Sequence, residues 1–247
     1  MPRYFIEVAY KGTNYSGFQV QQNAVTIQSK VEEALFILYK QPFQLTCSSR
    51  TDAGVHALQN FYHVNTDIAI IEKVYNLNAL LPNDIVIKNI FLVKDEVHAR
   101  FSGVSRDYQY FITQHKNPFL VQTAWCYPFT VDITILNQCA ALVLENTDFT
   151  SFCKRNTQVN HFNCDIIKST WFLENDCLVY NVKANRFLRG MVRGLVGTML
   201  QAGRGIISVA DFRKIIEAKD CTKANFSTPA HGLFLIAVNY PEHAFSV

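Results

Sequence analysis

With 247 residues, of which 49% are hydrophobic and 17% charged, the chain can bury a full core, and it lacks the polarity of a disordered protein and the bias of a fibrous one. Its net charge of +3, from 23 basic and 20 acidic residues, is too mild to establish a polyanionic partner yet leaves room for a basic cleft. No apolar run approaches a bilayer span, and the start, MPRYFIEVAY, alternates like a strand instead of forming a charged-then-apolar signal, so a cytoplasmic location is expected.

The alternation of Tyr4, Ile6, Val8 and Tyr10 with Phe5, Glu7 and Ala9 predicts a strand, broken between Gly12 and Gly17. Ile27, Val31, Ala34, Leu35 and Leu38 fall on one helical face, with Thr26 as the cap and Pro42 beyond the end. Residues 43–47 predict a short strand, 60–65 a second, 71–81 a helix stopped by Pro82, and 85–93 a β-branched strand. The second half continues with a strand at 108–113, a helix at 132–144 and the loop DFTSFCKR. Strands at 165–173 and 178–184 follow, joined by Glu174, Asn175 and Asp176. A helix is expected at 187–202, ending at Gly203. Another is opened by the capping-box pattern Ser208-x-x-Asp211, and a last strand covers 233–238. The fold class is therefore α+β with a large, mainly antiparallel sheet, in two lobes, 1–104 and 105–247.

The segment SSRTDAGVHA, residues 48–57, places an arginine, an aspartate and a glycine within five positions at a strand exit. Asp52 is the candidate nucleophile. Glycine at 54 permits a tight turn that presents the carboxylate, and Arg50 supplies a planar cation that favours the ionised form. An isolated turn aspartate is commonly just a backbone acceptor, so the weight rests on the company of Arg50, Gly54 and His56. His56 itself is expected to be a structural hydrogen-bonder.

In FLRGMVRGLVGTML, Arg189 and Arg193 stand four apart, and Gly190, Gly194 and Gly197 form a bare stripe where backbone can approach. Three helical glycines each cost about 1 kcal/mol against alanine, which implies tight packing. One of these arginines is expected to pair with Asp52. In SRDYQY, Tyr108 and Tyr110 share a strand face on which an unpaired base could stack. Arg100, Arg106, Lys154, Arg155 and Arg186 could line a phosphate groove, with scattered surface cations as the plainer reading. The seven cysteines are odd in number and show no zinc-ligand spacing, so they are expected to be reduced thiols, and no metal is expected. Cysteine-dependent hydrolysis at Cys153 would need a base that the sequence does not mark.

Taken in order, SRTDAGVHA, NALLPNDI, VHARFS, SRDYQY, NRFLRGMVRGLVG and TPAHGLFL resemble the motifs of the TruA-type tRNA pseudouridine synthases over nearly the whole chain. The resemblance implies the pseudouridine synthase fold, two similar α/β lobes sharing a mixed sheet around a central active-site cleft. It also implies a homodimer and conversion of uridines in the tRNA anticodon arm, without metal or organic cofactor. Position by position, Asp52 matches the family's catalytic aspartate and Arg50 the arginine that helps hold the flipped nucleotide. Tyr108 matches the tyrosine that stacks on the target base, and Arg193 the arginine that pairs with the aspartate. Ser49 stands where the family usually has glycine. A non-catalytic RNA-binding protein using the same basic cleft is the alternative, and the intact set of Asp52, Arg50 and Arg193 argues against it.

Overall fold

A computed structural model of the chain describes residues 1–155, 157 and 159–245. Among these residues there are nine strands and five α-helices, the α+β class that the alternation predicts. The chain divides into two compact units, Met1–Ser105 together with Phe234–Val247, and Arg106–Leu233. Relative to the lobes expected at 1–104 and 105–247, the difference lies in the final strand, which joins the first unit from Phe234 onward.

In the first unit Arg3–Tyr10 (β1) lies between two antiparallel neighbours, His56–Asn65 (β3) and Ile85–Val93 (β4). Thr46–Cys47 (β2) pairs antiparallel with β3, and Leu233–Asn239 (β9) pairs with β3 in parallel through His56 and Ala57. Phe5, Ile6 and Val8 are fully buried, so both faces of β1 are covered. Ile27–Tyr39 (α1) begins with a capping box in which Thr26 Oγ1 accepts from the Ser29 N–H while Ser29 Oγ accepts from the Thr26 N–H, satisfying two orphan donors. The strand predicted at 43–47 is shorter than expected. At Leu45 the backbone bonds instead to side chains of α1: its N–H donates to Glu32 Oε1 at 3.1 Å and its carbonyl accepts from Gln28 Nε2 at 3.0 Å. The helix predicted at 71–81 is split into a short 3-10 turn, Ile71–Lys73, and Val74–Leu80 (α2).

In the second unit Ser105–Thr113 (β5), Cys177–Ala184 (β8) and Ile166–Glu174 (β7) form antiparallel neighbours, and Trp125–Cys126 (β6), absent from the sequence reading, runs parallel to β5. The β7–β8 connection places Asn175 and Asp176 at φ 47° and 61°, the left-handed pair that a two-residue hairpin of the right twist needs. Ile133–Leu144 (α3), capped by Asp132, packs on β7, where Asn137 Oδ1 accepts from the Trp171 N–H at 2.9 Å. Val209–Glu217 (α5) carries the Ser208 and Asp211 capping box that the sequence announced.

The remaining helix requires a correction. The glycine-rich helix expected from residue 187 is Met191–Gly203 (α4), and Gly190 precedes it in the left-handed conformation at φ 75°. A side chain there would meet Lys154, whose Cγ lies 3.0 Å from the position a β-carbon would occupy. Arg189 consequently lies outside the helix and shares no face with Arg193. Its carbonyl instead accepts from the Lys154 N–H at 3.0 Å.

Candidate active site

Asp52 occupies a turn closed by a hydrogen bond from the Val55 N–H to its carbonyl at 3.2 Å, with Gly54 at φ 78°. This is the tight turn that the glycine predicts, and the Asp52 side chain is half-buried there. The residues around it are fixed one after another. Ser48 Oγ meets the Tyr240 hydroxyl at 2.9 Å, and that hydroxyl also donates to the Ala99 carbonyl. Ser49 bonds through both backbone groups to Asn60, its N–H donating to Oδ1 at 3.3 Å and its carbonyl accepting from Nδ2 at 2.9 Å. Thr51 Oγ1 meets the Tyr10 hydroxyl at 2.7 Å, and the Thr51 carbonyl accepts from the Phe18 N–H. Behind the turn, His56 is 1% exposed and its Nδ1 accepts from the Gly12 N–H at 3.0 Å, the structural role expected of it.

Arg50 is exposed, between two buried and anchored neighbours, Ser49 and Thr51. Its charge reaches the Cys47 thiol: burial pushes that group up to about 12, and the Arg50 cation pulls the other way. Asn60 is wholly buried and uses its full capacity. Oδ1 accepts from the Ser49 and Phe61 N–H groups, and Nδ2 donates to the Ser49 carbonyl and the Tyr10 hydroxyl. The Tyr10 oxygen thus accepts from Asn60 Nδ2 at 3.2 Å and also meets Thr51 Oγ1, linking Asn60 to Thr51.

In the second unit, Tyr108 lies on β5 opposite Val182, 8% exposed, with its ring edge-on to Phe187 at 5.0 Å and 84°. Tyr110, expected to share an accessible face with it, is fully buried and cannot stack on a base. Its hydroxyl donates to the Pro229 carbonyl at 2.8 Å, and burial holds that hydroxyl far above the ordinary tyrosine range against the opposing pull of the Arg193 charge. Arg193 is half-buried on the first turn of α4. Its Nε donates to the Thr228 carbonyl at 2.7 Å, while Thr228 Oγ1 donates to the Arg193 carbonyl at 2.8 Å.

Gly194 and Gly197 in α4 explain how Thr228 gets so close. A β-carbon at 197 would lie 2.4 Å from the Asn225 carbonyl oxygen, and one at 194 would lie 2.7 Å from the Phe226 ring, so the 225–228 segment rests directly on the helix. The bare stripe is thus a seat for the segment that orients the Arg193 guanidinium.

Other predicted residues have local duties. Arg106 donates to the Asn185 carbonyl at 2.9 Å, Arg186 lies 2.9 Å from the His161 ring nitrogen, and Arg100 sits 5.6 Å from the Phe101 ring centre. Cys153 is 4% exposed with its sulfur 3.6 Å from the Lys154 carbonyl. Asn60, Tyr10 and Thr228 were not singled out in the sequence. Tyr10 and Asn60 entered only as strand residues, and Thr228 only as the first residue of TPAHGLFL.

A family model described as tRNA pseudouridine synthase matches residues 144–241. A protein from Parabacteroides distasonis named tRNA pseudouridine synthase A is 43% identical, the match covering 100% of this chain and 99% of the relative. Proteins of the same name from Porphyromonas gingivalis and Staphylococcus aureus strain Newman are 42% and 35% identical, covering 99% and 98% of this chain and 100% and 92% of theirs. The similarity places the chain among RNA-modifying isomerases. It belongs to the tRNA pseudouridine synthase family, which isomerises uridine to pseudouridine in tRNA.

Proposed function

We propose that this chain converts uridines of the tRNA anticodon arm to pseudouridine with Asp52 as the catalytic carboxylate. The observation that supports this reading is the Asp52 turn, in which a half-exposed carboxylate projects from backbone anchored at Ser48, Ser49 and Thr51. Such anchoring is what positioning demands, because catalysis by orientation is lost when the reacting group wanders by an ångström.

The reaction breaks the C1′–N1 glycosidic bond, turns the uracil in place and forms a C1′–C5 bond. N1 takes a proton and C5 gives one up, so no atom is gained or lost overall. The nucleotide must leave its stack to be reached, and Arg50, exposed beside the turn, is the side chain assigned to hold it there. Asp52 stabilises the oxocarbenium-like sugar or attacks it, as carboxylates do in glycoside hydrolysis. Tyr108 is assigned to the face of the target base and to the C5 proton, and Arg193 to the charge of Asp52. The working enzyme is read as a homodimer that needs no cofactor.

The test is incubation with an unmodified tRNA transcript and measurement of pseudouridine. Wild type turns over, while Asp52→Asn binds tRNA with near-normal affinity and forms no product. Product from Asp52→Asn, or from neither protein, removes Asp52 from the mechanism. Arg193→Ala is expected to lose activity strongly, and near-normal rates would take Arg193 out of the site.

A further inference from the structure

We infer that the second unit carries a separate seat for one phosphodiester and its base from the bound RNA, formed by Lys154, Arg155 and Phe162. This inference rests on the reading that tRNA is the substrate. These three side chains line a cavity of about 310 Å³ together with Cys153, Cys221, Lys219 and Asp220. That volume falls at the lower end of small-ligand sites, enough for one nucleotide unit and too little for a larger fold of RNA. None of Asp52, Arg50, Tyr108 or Arg193 is part of its lining.

The charge balance inside the cavity identifies which cations are available. Lys219 is already paired with Asp148 at 2.9 Å. Asp220 spends one oxygen on the Thr222 N–H at 2.9 Å and hydroxyl at 2.8 Å, and these bonds, with the Lys223 and Arg155 charges, hold its carboxyl below the usual range. Among the described residues Lys154 and Arg155 form no ion pair at contact distance. Two cations with no ion-pair partner at contact distance, in the lining of a cavity with a half-buried phenyl ring, match a phosphate and a stacked base. The phosphate accepts charge-assisted hydrogen bonds, and a base of any identity can lie on the ring.

Lys154 is held in place from both ends of its residue. Its N–H donates to the Arg189 carbonyl at 3.0 Å, and its stem lies against Gly190, at the start of the helix that carries Arg193. The seat is therefore tied to backbone next to that helix, and an RNA strand bound there has its register set relative to α4. The lysine supplies a fixed cation instead of a freely sweeping one.

Binding of a labelled anticodon-arm RNA to wild type, Lys154→Ala, Arg155→Ala and the double variant tests the assignment. The double variant should weaken binding by about tenfold and lower the slope of log Kd against log salt by roughly 1, for the one phosphate that the seat holds. Cys221, half-buried in the lining, gives a second readout if Lys154→Ala fails to fold. Its alkylation in the wild-type protein, mapped by peptide mass, should slow when the RNA is saturating and stay unchanged with millimolar inorganic phosphate or uridine monophosphate. Unchanged RNA affinity in the folded variants, or alkylation of Cys221 indifferent to RNA, overturns the seat. Protection by phosphate or the mononucleotide alone overturns the RNA assignment in favour of a free anion site. Pseudouridine formation by wild type, measured in parallel, separates failure of this inference from failure of the Asp52 reading.

Discussion

Asn60 has no hydrogen-bonding capacity left over, and the flipped orientation of its amide would not satisfy the Ser49 backbone. Asn60→Leu strands a buried N–H and a buried carbonyl at the Asp52 turn, a loss of about 1–3 kcal/mol for each group left without a partner, readable by denaturant unfolding. Tyr10→Phe is the milder probe, because it deletes one hydroxyl from the chain that ends at Thr51. A single-turnover experiment should show a rate constant about tenfold lower with unchanged amplitude and tRNA affinity, the pattern of a displaced group and not of a smaller active fraction. His63 yields a different prediction. Burial, with His98 and Arg3 nearby, lowers its pKa from 6.5 to about 4, so between those values the unfolded chain binds a proton that the native chain refuses. Stability should fall as pH drops from 6.5 toward 4 and level off on either side, by at most on the order of 3 kcal/mol, and His63→Asn should flatten the curve. Asp52, Arg50 and Gly54 were legible because an arginine, an aspartate and a glycine this close are unusual together. Asn60 was not, since an asparagine inside a strand looks like any polar strand residue until its partners are known.

At the level of elements, α4 shows where periodicity misleads. Apolar spacing runs smoothly through 187–202, yet the backbone turns left-handed at Gly190, because a glycine there accommodates both the conformation and the Lys154 stem. The glycines at 194 and 197 were correctly read as a packing surface, but what packs there is the irregular 225–228 segment, which has no periodicity to announce it. Gly197→Ala drives a methyl into the Asn225 carbonyl and Thr228 Oγ1, atoms that cannot rotate away cheaply. The expected cost is about 1–3 kcal/mol in thermal unfolding, with a loss of activity because the segment that holds the Arg193 guanidinium is displaced. The shortened strand at 43–47 has a similar cause. Its alternation is real, with Phe43 and Leu45 buried, but Gln28 and Glu32 take the backbone bonds at Leu45 that a ladder would otherwise make.

For the whole molecule, the sequence conveyed the α+β class and the order of elements, because helices and strands here are separated by clear breakers such as Pro42, Pro82 and Gly203. The return of the last strand to the first unit was not legible, since strand partners are chosen by tertiary contacts and leave no trace in local pattern. That strand contributes more than pairing. Tyr240, just beyond β9, packs with Phe5 and Phe61 at 5.3 and 5.2 Å and bonds Ser48 and Ala99. A chain shortened to residues 1–232 is therefore expected to be insoluble or molten, and a cooperative unfolding transition equal to that of the full chain would contradict this. Tyr240→Phe, which keeps the ring, should fold while losing the Ser48 and Ala99 bonds.

On the ribosome the first unit is synthesised early but lacks its closing piece until residues 234–245 emerge, after every residue of the second unit has been made. The latch on the Asp52 turn arrives after the second unit. A polypeptide translated only through the second unit accordingly carries the Asp52 carboxylate on slack backbone, and the turn is secured after that unit has emerged instead of before it.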